Sequence, residues 1–418
     1  MQEEYYDFDI SSRVYPLVST SSKTPQYRIA AKMTDELIPE ALQQALDTVL
    51  KRFPLFSTVV ARGFFWHHLR PMNRRILVQE ATDCHCAPFD VHHEGDLLRL
   101  LYRNKHLVLE AFHGLSDGYG GMIFFKNLLA EYLRLTGSPC GKGGDLKDLS
   151  ETAPPEEFTD GFTLVDAALP TSGYKGSRPA LHIDGEQAAI QPAGLVRFEL
   201  PTAALKEAAQ KQGVSITVLI LAAIMHATAR SRAQDNPRKI ITLELTLDMR
   251  QHFPTLSMKN FTLFAIIEAS HKAASDMASL IPLIEAQVKE KTAKESVERL
   301  ASKIKKLSNN PFLKYAPLGV KRLLLKTIYY RIAKNAFTVV FSNIGLVRED
   351  FAGKVDSFAV VPGPSYAKTF NCGLISYKGK SVLMLGKSVS NPTLETKLHE
   401  IFNAQGLQAT LVPSPFSA

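Results

Sequence analysis

Cysteine is scarce in this chain, with four residues in 418, two of them close together in the segment DCHCAPF. A small secreted domain that depends on disulfides carries many more cysteines for its length. A disulfide framework is therefore not expected, and reduced thiols are predicted instead.

Long apolar runs and targeting features are missing as well. The longest apolar stretch, ITVLILAAIMHATA, is shorter than the ~20 residues that a helix needs to cross a bilayer. The first ten residues, MQEEYYDFDI, are acidic and lack the basic start and apolar centre of a signal peptide. Together with the reduced thiols, these absences predict a cytoplasmic protein.

Acidic residues are rare in residues 289–334, where thirteen Lys or Arg stand against three Glu. Such a segment either attracts an acidic ligand or is a solvated helix face, and the solvated face is favoured. The acidic ligands considered are a phosphate-bearing cofactor, an acidic carrier protein and a lipid surface. Nucleic acid is not expected, because no nucleic-acid-binding module or stacking pattern accompanies the charge.

Within this segment, residues 303–334 combine apolar and basic side chains. The apolar ones are predicted to pack on a sheet: Leu323, Leu324, Leu325, Ile328 and Tyr329. The basic ones are predicted to stay free in solvent: Lys305, Lys306, Lys321, Arg322 and Lys326. Membrane contact is not expected.

The length predicts two domains, because single cores stop growing near roughly 250 to 300 residues. Residues 138–193 are rich in Gly, Pro, Ser and Asp, which is typical of loops between domains. The predicted domains are residues 1–180 and 181–418. Each half alternates strand-like and helix-like patterns, so the predicted fold class is α/β with mixed sheets.

The segment LVLEAFHGLSDGYGG places His113 at the end of a strand-like run and Asp117 just before a helix predicted from Gly118. A second copy of the spacing, His92 and Asp96, shows that H-x-x-x-D can arise by chance, and that copy is predicted to be a surface turn. A histidine satisfied by a backbone carbonyl is the alternative interpretation of His113.

As a general base, His113 would remove a proton from a hydroxyl or amine that attacks a carbonyl. Asp117 would then either accept a hydrogen bond from the ring or fix the loop through an arginine. No Ser or Cys lies in a nucleophile-elbow motif, which favours direct transfer over a covalent acyl-enzyme.

The segment TDCHCAPFDVHH gathers cysteines and histidines, but their spacing does not match the usual zinc sites. No metal site is predicted there or elsewhere.

FHGLSDG resembles the HxxxDG signature of the superfamily of chloramphenicol acetyltransferase and peptide-synthetase condensation domains, and the chain is most similar to its bacterial alcohol O-acetyltransferase-like members. Further similar segments follow in family order: IPEALQQALDTVLKRFPLFSTVV, TLDMRQHFP, MKNFTLF and FSNIG. The resemblance covers nearly the whole chain. It implies two chloramphenicol-acetyltransferase-like domains that enclose a channel with the histidine at its midpoint.

The resemblance also implies roles for individual residues. His113 would be the catalytic base, while Asp117, paired with Arg250, and Gly118 would support the site. Ser342 and Asn343 are candidates to bind the developing oxyanion or line the channel.

Two departures narrow the prediction of function. Phe112 stands where many condensation domains carry a second histidine, and the plant DFGWG segment is absent. The predicted function is therefore transfer of an acyl group from acyl-coenzyme A to a hydroxyl or amine of a small molecule, with no permanently bound cofactor. The alternatives are a catalytically silent binding or regulatory module, and a condensation enzyme that depends on an acyl carrier protein.

Overall fold

The computed structural model describes residues 5–82, 86–141, 143–169, 179–183, 185–186, 194–231, 239–363 and 370–413, with only the backbone described for residues 332–335 and 413. These residues form the following strands: β1 (Tyr6–Asp7), β2 (Gln26–Met33), β3 (Thr58–Arg62), β4 (His67–Pro71), β5 (Gln79–Glu80), β6 (Leu98–Arg103), β7 (His106–Phe112), β8 (Gly194–Pro201), β9 (Ile241–Asp248), β10 (Thr262–Ala269), β11 (Val339–Val347), β12 (Val355–Pro362), β13 (Phe370–Tyr377), β14 (Lys380–Lys387) and β15 (Thr410–Pro413). The helices are α1 (Tyr15–Val18), α2 (Pro39–Arg52), α3 (Gly118–Leu135), α4 (Thr202–Lys211), α5 (Ile216–Arg230), α6 (His271–Ala274), α7 (Met277–Thr292), α8 (Lys294–Ser308), α9 (Pro311–Tyr315), α10 (Leu318–Ala336) and α11 (Thr393–Ala404).

The first half of the chain builds a sheet with the strand order β12-β2-β7-β6-β5. Its core is closed by α2 and α3, which both bury apolar faces. Leu42, Ala45, Leu46 and Val49 of α2 are fully buried, at the spacing of one helix face. This sheet carries β7, the strand that leads into the predicted catalytic loop.

The second half builds a seven-stranded sheet, in the order β10-β9-β11-β13-β14-β8-β15. β11 runs parallel to β9 and β13, whereas the other neighbouring strands are antiparallel. The apolar helix α5 is buried almost throughout its length against this sheet. A third, small sheet joins β1, β4 and β3. The predicted mixed α/β class is confirmed.

One strand of the second half belongs to the sheet of the first half. β12 pairs antiparallel with β2, so that Ala359 lies opposite Ala30. Leu195 and Tyr377 also contribute to the core of the first sheet. A cut of the sequence at residue 180 therefore separates the first sheet from one of its own strands.

The local structure departs from simple sequence patterns at several places. In the segment RILVQEA, whose composition is typical of a strand, only Gln79–Glu80 pairs, with β6. The short elements β1, α1 and β15 were not predicted, and they have too few residues to show a periodic pattern. Residues 271–336 are divided among five helices, α6 to α10.

The prediction for the basic segment is wrong in two respects. Leu323, Leu324 and Ile328 face solvent instead of packing on a sheet. Lys321, predicted to be free, is buried, and its ammonium donates to the carbonyl of Phe65 at 2.7 Å. A helical pattern shows that one face is apolar, but not which face the neighbouring elements cover.

Lys305 and Lys306 are not free either, because their ammonium groups donate to backbone carbonyls of Val165 (2.6 Å) and Leu169 (2.7 Å). Arg322 is exposed, as predicted, and Lys326 is half-buried.

Among the described residues, no single helix is long and apolar enough to cross a membrane. In the part of the chain that the structure describes, the pair of α4 and α5 together reaches the required length and hydropathy, and the two helices meet at a bend of 85°.

Candidate active site

His113 is the first residue after β7, in the turn that leads to α3. Its backbone N–H donates to the carbonyl of Pro25 at 2.9 Å, and Leu115 N–H closes the turn by donating to Phe112 O at 2.9 Å. The hydroxyl of Ser116 donates to the carbonyl of Met258, in the second half of the chain, at 2.6 Å. The backbone of the loop is therefore held at both ends.

Asp117 caps the N-terminus of α3 and is completely buried. Its Oδ1 accepts from the N–H of Gly120 at 3.0 Å, which satisfies one of the unpaired donors of the first helical turn. Its Oδ2 accepts from the N–H of Phe261 at 2.8 Å and from Nη1 of Arg250 at 2.7 Å. Both carboxylate oxygens of Asp117 are therefore hydrogen-bonded to groups other than the histidine ring.

Arg250 joins Asp117 to a segment of the second half. Its Nη2 donates to the carbonyls of Ser257 (3.0 Å) and Lys259 (2.6 Å), while Nη1 also meets Asp248 Oδ1 at 3.0 Å. The planar, multiple-donor guanidinium suits this arrangement, which a lysine could not reproduce. The buried pair therefore fixes residues 257–261 against the loop of His113.

The ring of His113 is half-buried between two tyrosines and an asparagine. The ring centroids of Tyr15 and Tyr27 lie 5.6 Å and 5.4 Å away, each in an edge-to-face arrangement. The amide nitrogen of Asn260 lies 3.3 Å from Nδ1. Among the residues that the structure describes, none forms a hydrogen bond with Nε2 of this ring.

Burial lowers the pKa of His113 below its ordinary value of 6.5, against the opposing effects of the Asp117 charge and a hydrogen bond to the backbone of His113 itself. A neutral imidazole at pH 7 has a lone pair with which to accept a proton. Nε2 has this lone pair only in the tautomer with the ring hydrogen on Nδ1, where the Asn260 amide is a close neighbour and not a donor. In that tautomer, the geometry and the protonation state both suit a general base.

If His113 is the base that the sequence predicts, the acid limb of kcat/KM lies below pH 6.5, because activity is then lost only when the pH falls through the lowered pKa of His113. The measurement is the pH dependence of kcat/KM for acyl transfer. Glu244→Gln is the control, because the pKa of Glu244 is raised by burial to about 7 and its titration overlaps the same range. An acid limb well above pH 6.5 that persists in Glu244→Gln would contradict the assignment.

The glycines after Asp117 differ in how tightly they are packed. A Cβ at Gly120 would lie 2.5 Å from the carbonyl oxygen of Met258, and one at Gly121 would lie 2.3 Å from the hydroxyl of Tyr27. A Cβ at Gly118 would meet only the flexible end of Ile344, at 3.2 Å. The close approach of backbone and side chains thus requires Gly120 and Gly121 more strictly than the predicted Gly118.

Ser342 and Asn343 lie on β11, whose Ile344 contacts the start of α3. The amide of Asn343 donates to Thr217 Oγ1 at 3.0 Å and accepts from the N–H of Gly345 at 2.9 Å, at a bulge in the strand. The side-chain hydroxyl of Ser342 forms no hydrogen bond within the described part of the chain. No hydrogen bond joins either side chain to His113 there, so their role as oxyanion donors stays a prediction.

Sequence reasoning missed several side chains around His113. Asn260 lies within MKNFTLF, a segment that the sequence had already marked, but its side chain was not singled out. Tyr15 lies in a four-residue helix with no recognisable pattern. Glu244 lies on β9, and its charge contributes, after burial and other charges, to raising the pKa of Tyr15.

The second H-x-x-x-D copy is a surface turn, as predicted. Nε2 of His92 lies 3.3 Å from the carbonyl of Ser19, and Asp96 pairs with Arg74 at 2.6 Å. Of the cysteine and histidine cluster nearby, Cys84 and His85 lie outside the described residues. Within the described residues, no three His, Cys, Asp or Glu side chains come together as a metal site.

No protein-family model matches the chain, and no curated protein matches it either. Solved structures do match over nearly its whole length. The 15-O-acetyltransferase TRI3 of Fusarium sporotrichioides is 13% identical, with a TM-score of 0.64 and coverage of 96% of this chain and 94% of that chain. TRI101 of the same organism, solved with coenzyme A and T-2, is 14% identical, with a TM-score of 0.62 and coverage of 97% and 99%.

The epimerization domain from the third module of tyrocidine synthetase B is 11% identical, with a TM-score of 0.60 and coverage of 97% and 96%. This chain has the chloramphenicol acetyltransferase-like fold. The two-lobed fold that the sequence predicted is therefore confirmed, and at these identities the likeness concerns the fold alone.

Proposed function

We propose that this chain is an acyltransferase that moves an acyl group from acyl-coenzyme A to a hydroxyl, or to an amine, of a small molecule. The observation that carries the proposal is the environment of His113: a neutral ring, approached by Asn260 at Nδ1, in a loop that Asp117 and Arg250 fix. The shared fold with TRI3 and TRI101 supports it.

In this mechanism, the neutral ring of His113 carries its own hydrogen on Nδ1. Nε2 then takes the proton of the acceptor hydroxyl while the hydroxyl oxygen attacks the thioester carbonyl carbon. A tetrahedral oxyanion forms, the carbon–sulfur bond breaks, and the proton on His113 passes to the departing thiolate. Ser342 is the more available of the two proposed oxyanion donors, because the amide of Asn343 is already hydrogen-bonded to Thr217 and Gly345. The site needs no resident cofactor for this reaction.

Asp117 and Arg250 are positioning residues in this proposal, because neither reaches the reacting atoms. The proposed domains, residues 1–180 and 181–418, meet at this pair, which links the loop of the first to residues 257–261 of the second. With these domain boundaries, β12 belongs to the second domain in sequence but pairs with β2 in the sheet of the first domain.

Coenzyme A and a short acyl-coenzyme A are expected to raise the melting temperature. A ligand at 100 times its dissociation constant adds about 2.7 kcal/mol to the free energy of unfolding. The measurement is thermal unfolding of the chain with and without each ligand. His113→Ala is the control, and it should keep the shift, because it removes the proposed base and leaves the rest of the donor site intact.

The result also separates the alternatives. Because a peptide-synthetase epimerization domain has the same fold, an acyl carrier protein is retained as the alternative acyl donor. If neither ligand shifts the melting temperature, the donor is not coenzyme A, and a carrier-dependent enzyme or a catalytically silent module takes the place of this proposal.

A further inference from the structure

α10 directs a row of large apolar side chains into solvent. They recur at the spacing of one helix face, with exposed fractions between 42% and 72%: Val320, Leu323, Leu324 and Ile328. Other residues of the helix hold it in place, since Leu318 is buried and the Tyr330 hydroxyl donates to the carbonyl of Val18 at 3.3 Å. The exposed face is therefore a fixed surface.

Two neighbouring segments extend this surface. The turn between β3 and β4 exposes Phe64 and Phe65, and α9 exposes Phe312 and Tyr315. The rings of Phe65 and Tyr315 lie 6.1 Å apart, and the N–H of Leu318 donates to the carbonyl of Phe64 at 3.0 Å. We call these eight side chains the apolar patch: Phe64, Phe65, Phe312, Tyr315, Val320, Leu323, Leu324 and Ile328.

The charge around the apolar patch has one sign. No Asp or Glu occurs in residues 58–71 or 299–348, which include all three segments. The exposed cations of these segments include Arg62, Lys314, Arg322 and Arg331. Within the described residues, Arg322 and Lys326 form no ion pair. An apolar helix face bordered by Lys and Arg is the composition of a helix that lies in the interface of an anionic bilayer.

The buried Lys321 holds the apolar patch together. Its Nζ donates to the carbonyls of Phe65 and Lys314, at 2.7 Å and 3.2 Å, and lies 3.8 Å from the ring centroid of Trp66. α10, α9 and the turn between β3 and β4 are thereby joined through one cation. The exposed side chains thus present a preformed surface.

We propose that the apolar patch binds the surface of an anionic lipid bilayer, with α10 in the plane of the headgroups. Contiguous exposed apolar area of this kind marks a binding surface. A bilayer accommodates side chains from three segments without a complementary shape, and its anionic headgroups match the unpaired cations. α10 also packs on α1, whose Tyr15 contacts His113. The proposed function, if correct, would therefore operate close to lipid-dissolved substrates.

The full chain is tested with phosphatidylcholine vesicles that either contain or lack phosphatidylglycerol. We expect co-sedimentation with the phosphatidylglycerol vesicles only, weakened by salt because screening reduces the attraction of the headgroups. Trp66 is the single tryptophan of the chain and borders the apolar patch, so its fluorescence should shift to shorter wavelength on binding.

Two double variants and two matched controls locate the contact. Leu323→Glu with Ile328→Glu should weaken vesicle binding by about tenfold or more. The reason is that two apolar side chains, which would be transferred from water into the bilayer on binding, are replaced by charged ones. Leu283→Glu with Leu411→Glu, at exposed positions of α7 and β15, adds the same charge and should leave binding unchanged. Arg322→Glu with Lys326→Glu should remove the preference for anionic vesicles, whereas Lys206→Glu with Lys211→Glu, at exposed positions of α4, should not.

Absence of vesicle binding, equal binding to both vesicle types, or equal losses in the variants and their controls would each overturn the proposal. So would a patch-dependent dimer, or patch-dependent binding of an acyl carrier protein, in place of lipid binding. Vesicle binding is measured without acyl transfer. A negative result would therefore overturn only the lipid-binding proposal, and the proposed acyltransferase function would still be tested by the activity assays.

Discussion

His113→Ala should lower the rate of acyl transfer by about 10² to 10⁴, the usual contribution of a positioned general base. Without the imidazole, the acceptor hydroxyl must attack the thioester while still carrying its proton. The ring contributes little to the core, because it is half-buried and its one polar side-chain contact among the described residues is with Asn260. The melting temperature should therefore change little. The measurement is kcat for thiol release at saturating donor and acceptor.

The chain supplies its own control for this variant. His92→Ala removes the histidine of the second H-x-x-x-D copy, which lies in a surface turn next to the carbonyl of Ser19. It should retain the wild-type rate. Full activity in His113→Ala, or an equal loss in both variants, would rule out the proposed base.

Asp117→Asn should lower both the stability and the activity of the protein. Breaking a buried ion pair on one side costs about 3 to 5 kcal/mol, because the remaining charge loses its partner in a poorly solvated place. Asp117 is fully buried and Arg250 nearly so, and their atoms lie 2.7 Å apart. Activity should fall with stability, since the same contacts set the position of Asn260 beside the ring. The measurement is equilibrium unfolding together with kcat.

Two further variants sharpen the interpretation. Arg250→Lys keeps the positive charge but loses the guanidinium donors that hydrogen-bond to the carbonyls of Ser257 and Lys259. It should therefore also be destabilising. Asp35→Asn removes an exposed pair with Lys354 and should change stability little. If Asp117→Asn left stability intact and reduced turnover alone, Asp117 would be acting on the ring and not on the scaffold.

The sequence predicted the elements around the site because their patterns are local. The apolar run of β7, the capping position of Asp117 and the helix from Gly118 can all be read within thirty residues. The pairing of Asp117 with Arg250 was anticipated only through the resemblance, since 133 positions separate the two residues. Local patterns thus located the loop, and the likeness to a family supplied its distant partner.

What the sequence could not show depends on contacts between distant segments. Asn260 reaches His113 only because Arg250 and Asp117 hold its segment in place. Lys321 was predicted to be exposed, yet a turn more than 250 positions earlier covers it. The pairing of β12 with β2 in the first sheet likewise depends on contacts between distant parts of the chain. The hydrophobic pattern of β12 does not indicate which strand it pairs with.

The most direct test of the central claim is a screen of acyl-coenzyme A donors against mixed alcohols and amines, with coenzyme A release followed as free thiol. The account predicts release that requires both a donor and an acceptor and that yields the acylated acceptor in equal amount. Release at the same rate without any acceptor would identify a hydrolase and contradict the proposed transfer.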